Sequence, residues 1–186
     1  MDTRGYTLFE TAIGSCGIAW NAHGIVALHL PESTPSETAT RLLRRAGDAS
    51  KASPPNEVQR AIDAIIALMS GDRIDLRDIP LDMEGIPPFH RKVYEFARNI
   101  APGETRSYGE IAKAVGSPGA ARAVGQAMAR NPFPIVVPCH RVLAAGGKNG
   151  GFTANGGVDT KLRMLAIERS ELRLNAPSAA ANVPPP

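Results

Sequence analysis

Between Ile13 and Leu30 two β-prone runs, Ser15–Trp20 and Ile25–Leu30, flank Asn21-Ala22-His23-Gly24, a stretch whose residues tolerate positive φ. The pattern predicts a hairpin. Downstream the rhythm changes to three and four. Ala39, Leu42 and Leu43 follow Ser36 at helical spacing, and Val58, Ala61, Ile62, Ile65, Ile66, Leu68 and Met69 do so over a longer stretch that Gly71 ends. Lys51–Pro55 reads as the loop between two amphipathic helices, and Ile74–Leu76 as a short strand. Glu84-Gly85-Ile86-Pro87-Pro88 resists both ladder and helix, and the domain boundary is expected there.

Beyond that linker Phe89, Val93, Phe96, Ala97 and Ile100 predict a helix of about ten residues, closed by Pro102-Gly103. Ser107 and Glu110 have the spacing of a capping box, in which each side chain satisfies an orphan backbone N–H, so a second helix starts at Ser107. Ser117 and Pro118 read as the N-cap and first-turn proline of a third helix running to about Arg130. Two short helices around a Gly116–Gly119 turn have the sequence shape of a helix-turn-helix. Gly119, Ala120, Ala121, Ala123, Gly125, Ala127 and Ala129 make the second of them slim, suited either to pressing against another surface such as DNA or to close packing in a core. Ile135-Val136-Val137 is expected to be a buried strand stopped by Pro138, and Asp159–Arg169 a helix with Leu162, Leu165, Ala166 and Ile167 on its apolar face. The Ala/Pro-rich tail, 175–186, is expected to be disordered.

At 186 residues with 43% hydrophobic and 21% charged, the chain is long enough for a real core and too apolar to be mostly disordered. No apolar run approaches the roughly 20 residues that span a bilayer, and the start lacks the apolar stretch of a secretory signal. Two cysteines fit a reducing compartment, so a cytoplasmic protein with no membrane association is expected. The net charge of +3 is uneven: residues 1–85 hold 8 Lys and Arg against 12 Asp and Glu, whereas 86–150 hold 9 against 3. A local excess of cations is the footprint of a polyanion partner or simply a solvated basic face.

Gly147-Lys148 lacks the glycine and the Ser/Thr of a phosphate loop, so no nucleotide cofactor is expected. The four histidines, at 23, 29, 90 and 140, show no paired metal spacing, and Cys16 reads as a small core hydrophobe; no metal or other cofactor is called for. Cys139 is different. It sits in Pro138-Cys139-His140-Arg141-Val142, and a thiol beside an imidazole and a guanidinium has surroundings that favour a thiolate, although a buried structural cysteine fits the same spacing.

The segment Asn131-Pro132-x-Pro134-Ile135-Val136-Val137-Pro138-Cys139-His140-Arg141-Val142 resembles the active-site signature of the O6-alkylguanine-DNA alkyltransferases, or methylated-DNA–protein-cysteine methyltransferases. Gly103 to Ala112 and Ala120-Ala121-Arg122-Ala123-Val124-Gly125 resemble that family's helix-turn-helix, Pro80-Leu81-Asp82 and Phe89 to Tyr94 its beginning, and Gly156-Gly157 through Lys161 and Glu168 its end. The likeness is strong over about residues 80–170 and weaker in the N-terminal third. It implies an α+β protein: a small ribonuclease-H-like N-terminal α/β domain, 1–84, then a mostly helical DNA-binding and alkyltransferase domain, 85–174.

The implied activity is direct-reversal repair of double-stranded DNA containing O6-alkylguanine, with O4-alkylthymine as a further candidate substrate. One alkyl group passes to Cys139 and stays there, which makes the protein a single-turnover enzyme, expected to act as a monomer without a cofactor. By resemblance His140 takes the thiol proton through a water, Glu168 orients and charges that imidazole, and Tyr108 protonates the leaving purine. Arg122 fills the gap in the base stack after the damaged nucleotide is flipped out, and Ala121, Gly125, Ser117, Tyr108 and His90 lie at the DNA. Asn131 braces the turn before the active-site segment and Arg141 pairs within the fold. Met128, Val142, Phe152 and Thr153 match positions lining the alkylguanine pocket.

The sequence departs from the family pattern at three points. Phe152 stands where tyrosine is frequent, the stretch from Phe152 to Gly156-Gly157 is longer than usual, and His90 occupies a position often held by Gln or Thr. The N-terminal part also lacks the Cys/His set that binds structural zinc in some relatives. Two other readings compete: a non-catalytic DNA-binding protein that senses alkyl damage, which Cys139 argues against, and a cysteine hydrolase, which would turn over repeatedly.

Overall fold

A computed structural model describes residues 3–147 and 156–175, the last six as backbone alone. The expected hairpin is present as β2 (Gly14–Asn21) and β3 (Gly24–His29), and it belongs to a four-stranded sheet in the order β3-β2-β1-β4. The pattern had not shown β1 (Arg4–Thr11), which runs antiparallel to β2. Gly5 in β1 makes room for the Trp20 ring, since a Cβ there would come within 2.6 Å of it. The three-residue β4 (Ala49–Lys51) pairs parallel with β1, so Lys51 ends a strand instead of starting a loop.

Helix α1 (Pro35–Ala46) is capped by the Thr34 side chain and covers one face of the sheet through a small cluster of Ala19, Ala27, Leu42 and Ala46. Helix α2 (Asn56–Met69) covers the other face. The strand expected at Ile74–Leu76 does not form. The Leu76, Arg77 and Ile79 carbonyls instead accept from the Arg98 guanidinium at 3.2, 2.7 and 2.7 Å, and it is Leu81 that bridges to Ile25 on the open edge of β3.

Helix α3 (Pro88–Ala97) begins at a proline whose missing N–H costs nothing in a first turn. The Ser107–Glu110 capping box opens α4 (Tyr108–Ala114), with N–H groups donating to the two side chains at 3.1 and 2.6 Å. Ser117 is not a cap. The Ala120 N–H donates to its carbonyl at 3.0 Å across Pro118 and Gly119, and Gly119 has φ +92°, so these four residues make a β-turn with proline second and glycine third. Helix α5 (Ala121–Ala129) starts after that turn and is held to α3 by the buried Tyr94 hydroxyl, which donates to the Ala127 carbonyl at 2.7 Å.

Ile135-Val136-Val137 is buried as expected but is a turn, not a strand. Prolines at 132, 134 and 138 deny it a ladder, and Ile135 sits at φ +75°, a left-handed conformation that a β-branched residue adopts only where its surroundings enforce it. The parallel pair β5 (Arg106–Ser107) and β6 (Val142–Leu143) brings the start of α4 beside the segment following Cys139. Helix α6 (Val158–Asn175) closes the fold and extends one residue into the expected tail; 176–186 lie outside the described residues. On α6 the buried face runs through Lys161, Met164, Leu165 and Glu168, while Leu162, expected inside, is 46% exposed. The architecture is mixed α+β, one core cluster reaches from Phe9 to Met164, and no helix among the described residues is long and apolar enough to cross a membrane.

Candidate active site

Asn131 shapes the ground beneath Cys139. Its Oδ1 accepts from the Phe133 N–H at 2.9 Å and its Nδ2 donates to the Val137 carbonyl at 2.8 Å, so one amide side chain holds both ends of the strained turn. The turn delivers Cys139 into a single 3-10 turn, Cys139–Arg141. As a residue Cys139 is partly exposed, whereas His140 and Arg141 are buried.

The buried Glu168 on α6 gathers those two neighbours. His140 Nε2 lies 2.7 Å from Glu168 Oε1, Arg141 Nη2 donates to the same oxygen at 2.7 Å, and Arg141 Nε donates to both oxygens at 3.1 Å. Arg141 Nη1 donates to the Ile100 carbonyl at 2.6 Å. Burial would raise the Glu168 carboxyl, but His140 and Arg141 outweigh it and hold its pKa at about 2. An ionised carboxylate at Nε2 fixes the tautomer: Nε2 carries the proton and Nδ1 keeps its lone pair. That Nδ1 is buried and has no hydrogen-bond partner among the described residues. Burial also pushes the His140 pKa below its ordinary 6.5 against the pull of Glu168, so the ring is neutral at pH 7.

The thiolate expected from the neighbouring cations is not the resting state. Desolvation raises Cys139 above its ordinary 9.0 despite help from the Asn131 side chain, the Lys161 charge and two backbone N–H groups. The reason is geometric, since the Arg141 guanidinium is spent on Glu168 and Ile100 and does not face the sulfur. The nearby cation is Lys161, 1% exposed, whose Nζ donates to the Val142 carbonyl at 2.6 Å. Sequence reading matched Lys161 to the family's end but gave it no role, because Leu162 drew the helical register; counting 161, 164, 165 and 168 as one face would have placed it inside.

A cavity of about 330 Å³ opens over the thiol, lined by Cys139, Tyr108, Met128, Asn131, Pro134 and Lys161 from this half of the chain. Leu28, His29, Leu30, Glu32 and the α1 arginines 41, 44 and 45 line it from the other. Tyr108 is half-buried at the start of α4, and burial together with Cys139 raises its pKa, so the phenol keeps its proton. Gly125 lies beside that ring, where a Cβ would meet it at 3.9 Å, an ordinary van der Waals contact.

Val142 does not line the cavity; it is wholly buried in β6 and reaches Lys161 through its carbonyl. Phe152 and Thr153 lie outside the described residues. Ser117, Ala121 and Arg122 are not at the cavity either: Ser117 belongs to the turn, and Ala121 and the exposed Arg122 open α5. His90, on α3, stacks edgewise near Phe89 and Tyr94, and burial followed by the Arg130 charge lowers its pKa, a poor setting for a cation on phosphate.

Comparison with known proteins finds consistent relatives. The family model described as 6-O-methylguanine DNA methyltransferase, DNA binding domain, matches residues 88–170. A methylated-DNA–protein-cysteine methyltransferase of Mycobacterium tuberculosis is 37% identical over 165 residues, 89% of this chain and 92% of that one. The constitutive enzyme of that name from Bacillus subtilis is 38% identical over 166 residues, 88% of this chain and 94% of its own. The crystal structure of Mycobacterium tuberculosis OGT in complex with DNA superposes with a TM-score of 0.69 at 33% identity, covering 90% of this chain and 94% of that one.

Proposed function

The chain belongs to the methylated-DNA–protein-cysteine methyltransferase family and repairs DNA by moving an alkyl group onto one of its own cysteines; from that premise we propose that Cys139 is the acceptor and that His140, Glu168 and Tyr108 move the protons. The observation that carries this is Cys139 lining a cavity and followed directly by an imidazole whose tautomer a buried carboxylate fixes.

The reaction is a displacement at carbon. The Cys139 proton passes to His140 Nδ1 through a water, and Glu168 stabilises the imidazolium that forms, with Lys161 stabilising the thiolate. Sulfur then forms its bond to the alkyl carbon as the carbon–O6 bond breaks, and Tyr108 gives its phenolic proton to the purine ring nitrogen, so the base leaves neutral. A thioether is not readily hydrolysed, and each molecule acts once. The substrate we assign is O6-alkylguanine in double-stranded DNA, with O4-alkylthymine admitted by the same chemistry.

We read α4, the 117–120 turn and α5 as a helix-turn-helix whose small-residue face approaches DNA while Arg122 fills the space of the extruded base. The sheet order, three antiparallel strands with β4 parallel to β1, supports a ribonuclease-H-like N-terminal domain over 1–84 beside the alkyltransferase domain over 85–174. We take the protein to act as a monomer and, with both cysteines free, in the cytoplasm. Replacing Cys139 with alanine is expected to leave binding to a duplex carrying one O6-methylguanine and to abolish transfer of a radiolabelled methyl to protein; persisting transfer would remove Cys139 from its role.

A further inference from the structure

The cavity over Cys139 has two walls, and only one of them belongs to the helix-turn-helix. Lys161 and Asn131 at its floor are buried, whereas Arg41, Arg44 and Arg45 on α1 are exposed, as is Ala129 at the end of α5. The burial gradient sets the mouth of the cavity between α1 and α5. Positions 41, 44 and 45 are spaced by three and four, so their side chains leave one face of α1 together. A basic last turn complements the helix dipole, but that explains neither Arg41, in the middle of the helix, nor why all three line this cavity.

The wall is fixed in place. Arg45 Nη1 donates to the Asn131 carbonyl at 2.6 Å, and the Leu28 N–H donates to the Pro132 carbonyl at 2.8 Å, so the sheet edge and α1 are tied to the turn that carries Cys139. The acids facing the arginines offset Arg41 only in part and leave Arg44 free of an ion pair among the described residues. Glu32 is shared, lying 2.9 Å from His29 Nε2 and pairing loosely with Arg41 Nε at 4.0 Å, and Glu37, in the first turn of α1, stands four residues before Arg41. Among the described residues Arg44 makes no hydrogen bond or ion pair, and the Arg41 side chain is 57% exposed.

We propose that α1 is the second wall of the DNA interface, with Arg41 and Arg44 bonding backbone phosphates of the strand whose base enters the cavity. The inference rests on the reading that the extruded base occupies this cavity. When a base is flipped into it, the phosphates on either side of that nucleotide remain at the mouth, where, among the described residues, α1 stands opposite α5. Guanidinium groups suit that position because their planar fork holds two phosphate oxygens at once. The basic surface would then extend into a stretch of sequence with a net excess of acids, which is why charge counting over 1–85 does not show it.

The test is binding of a duplex carrying one O6-methylguanine, followed by fluorescence anisotropy over a range of salt, for the intact protein, Arg41→Gln/Arg44→Gln and Arg122→Ala. Each lost phosphate contact lowers the slope of log affinity against log salt by about 0.9, so the double variant is expected to lose about two units of slope. Its loss of transfer rate on duplex DNA should exceed its loss on free O6-benzylguanine, which has no phosphate, by at least about tenfold. The single Arg44→Gln is expected to lose about one unit and guards against a fold defect in the double variant. An unchanged slope overturns the proposal. So does an equal loss on duplex and free base, because the arginines would then act on the alkyl group or on the cavity itself. If Arg122→Ala alone weakens duplex binding, the α1 wall fails and the helix-turn-helix reading stands; if neither variant does, both fail.

Discussion

Beneath Cys139 the charges are buried and tied to one another, whereas at the mouth of the same cavity they are exposed and tied to little. His140, Arg141, Lys161 and Glu168 are each at most 5% exposed, and one carboxylate serves both the imidazole and the guanidinium. Arg41, Arg44 and Arg122 stand in solvent. Burial makes the first group sensitive to any single change, because a buried charge that loses its partner has nothing to replace it. Exposure makes the second group additive and dependent on salt, as phosphate contacts are. On the proposed reading the lower group would set whether the chemistry proceeds, and the upper group how often a damaged nucleotide arrives.

Glu168→Gln should break the lower group most severely. Arg141 would be left as an uncompensated buried charge, a loss of about 3–5 kcal/mol in stability by denaturant unfolding. Transfer should slow by about 10²- to 10⁴-fold, since the imidazole loses the carboxylate that fixes its tautomer. A variant as stable and as fast as the parent would show that the network is ornamental.

Arg122→Ala addresses the upper group. Single-turnover rates on duplex DNA are expected to fall by about tenfold or more while those on free O6-benzylguanine fall much less, because the duplex alone demands that a base be unstacked. Equal losses on both would place Arg122 in the fold and not in base extrusion.

The gentlest probe is pH. His140 in the folded protein titrates below its ordinary 6.5, so on acidification the unfolded chain takes up that proton first and stability falls as pH drops through 6.5. Glu168 acts in the same direction lower down: the unfolded carboxyl protonates near 4.5 and the folded one near 2, so its contribution is present above 4.5 and is lost as pH falls toward 2. Thermal melting should therefore decline on acidification, and His140→Gln should flatten the curve between pH 6.5 and 4.5. An equally steep variant would move the effect to other groups.

The two regions were not equally legible in the sequence. The hairpin, α2, α3 and the capping box at Ser107 follow local rules that the structure keeps, because each is decided by spacing within one turn or one strand. The active-site turn defied those rules. Three β-branched residues predict a strand, but flanking prolines and the Asn131 amide impose a turn with Ile135 at positive φ. The Ser117 cap failed for a related reason, since Pro118-Gly119 satisfies a β-turn better than a helix start. Cys139, His140, Tyr108 and Glu168 were singled out through family resemblance, which also covered Lys161 without giving it a role, while the α1 arginines were not singled out at all. Lys161 is a charge on a buried helix face, against the usual pattern, and the arginines reach the cavity only through a contact between residues 86 apart in sequence.

The central claim is that one alkyl group ends on Cys139. Intact-protein mass spectrometry with peptide mapping, after incubation with excess duplex DNA carrying a single O6-methylguanine, tests it directly. The account predicts a gain of one methyl per protein, saturating there and mapping to Cys139. A methyl on Cys16, or an unchanged mass while the DNA is repaired in excess of protein, would contradict it.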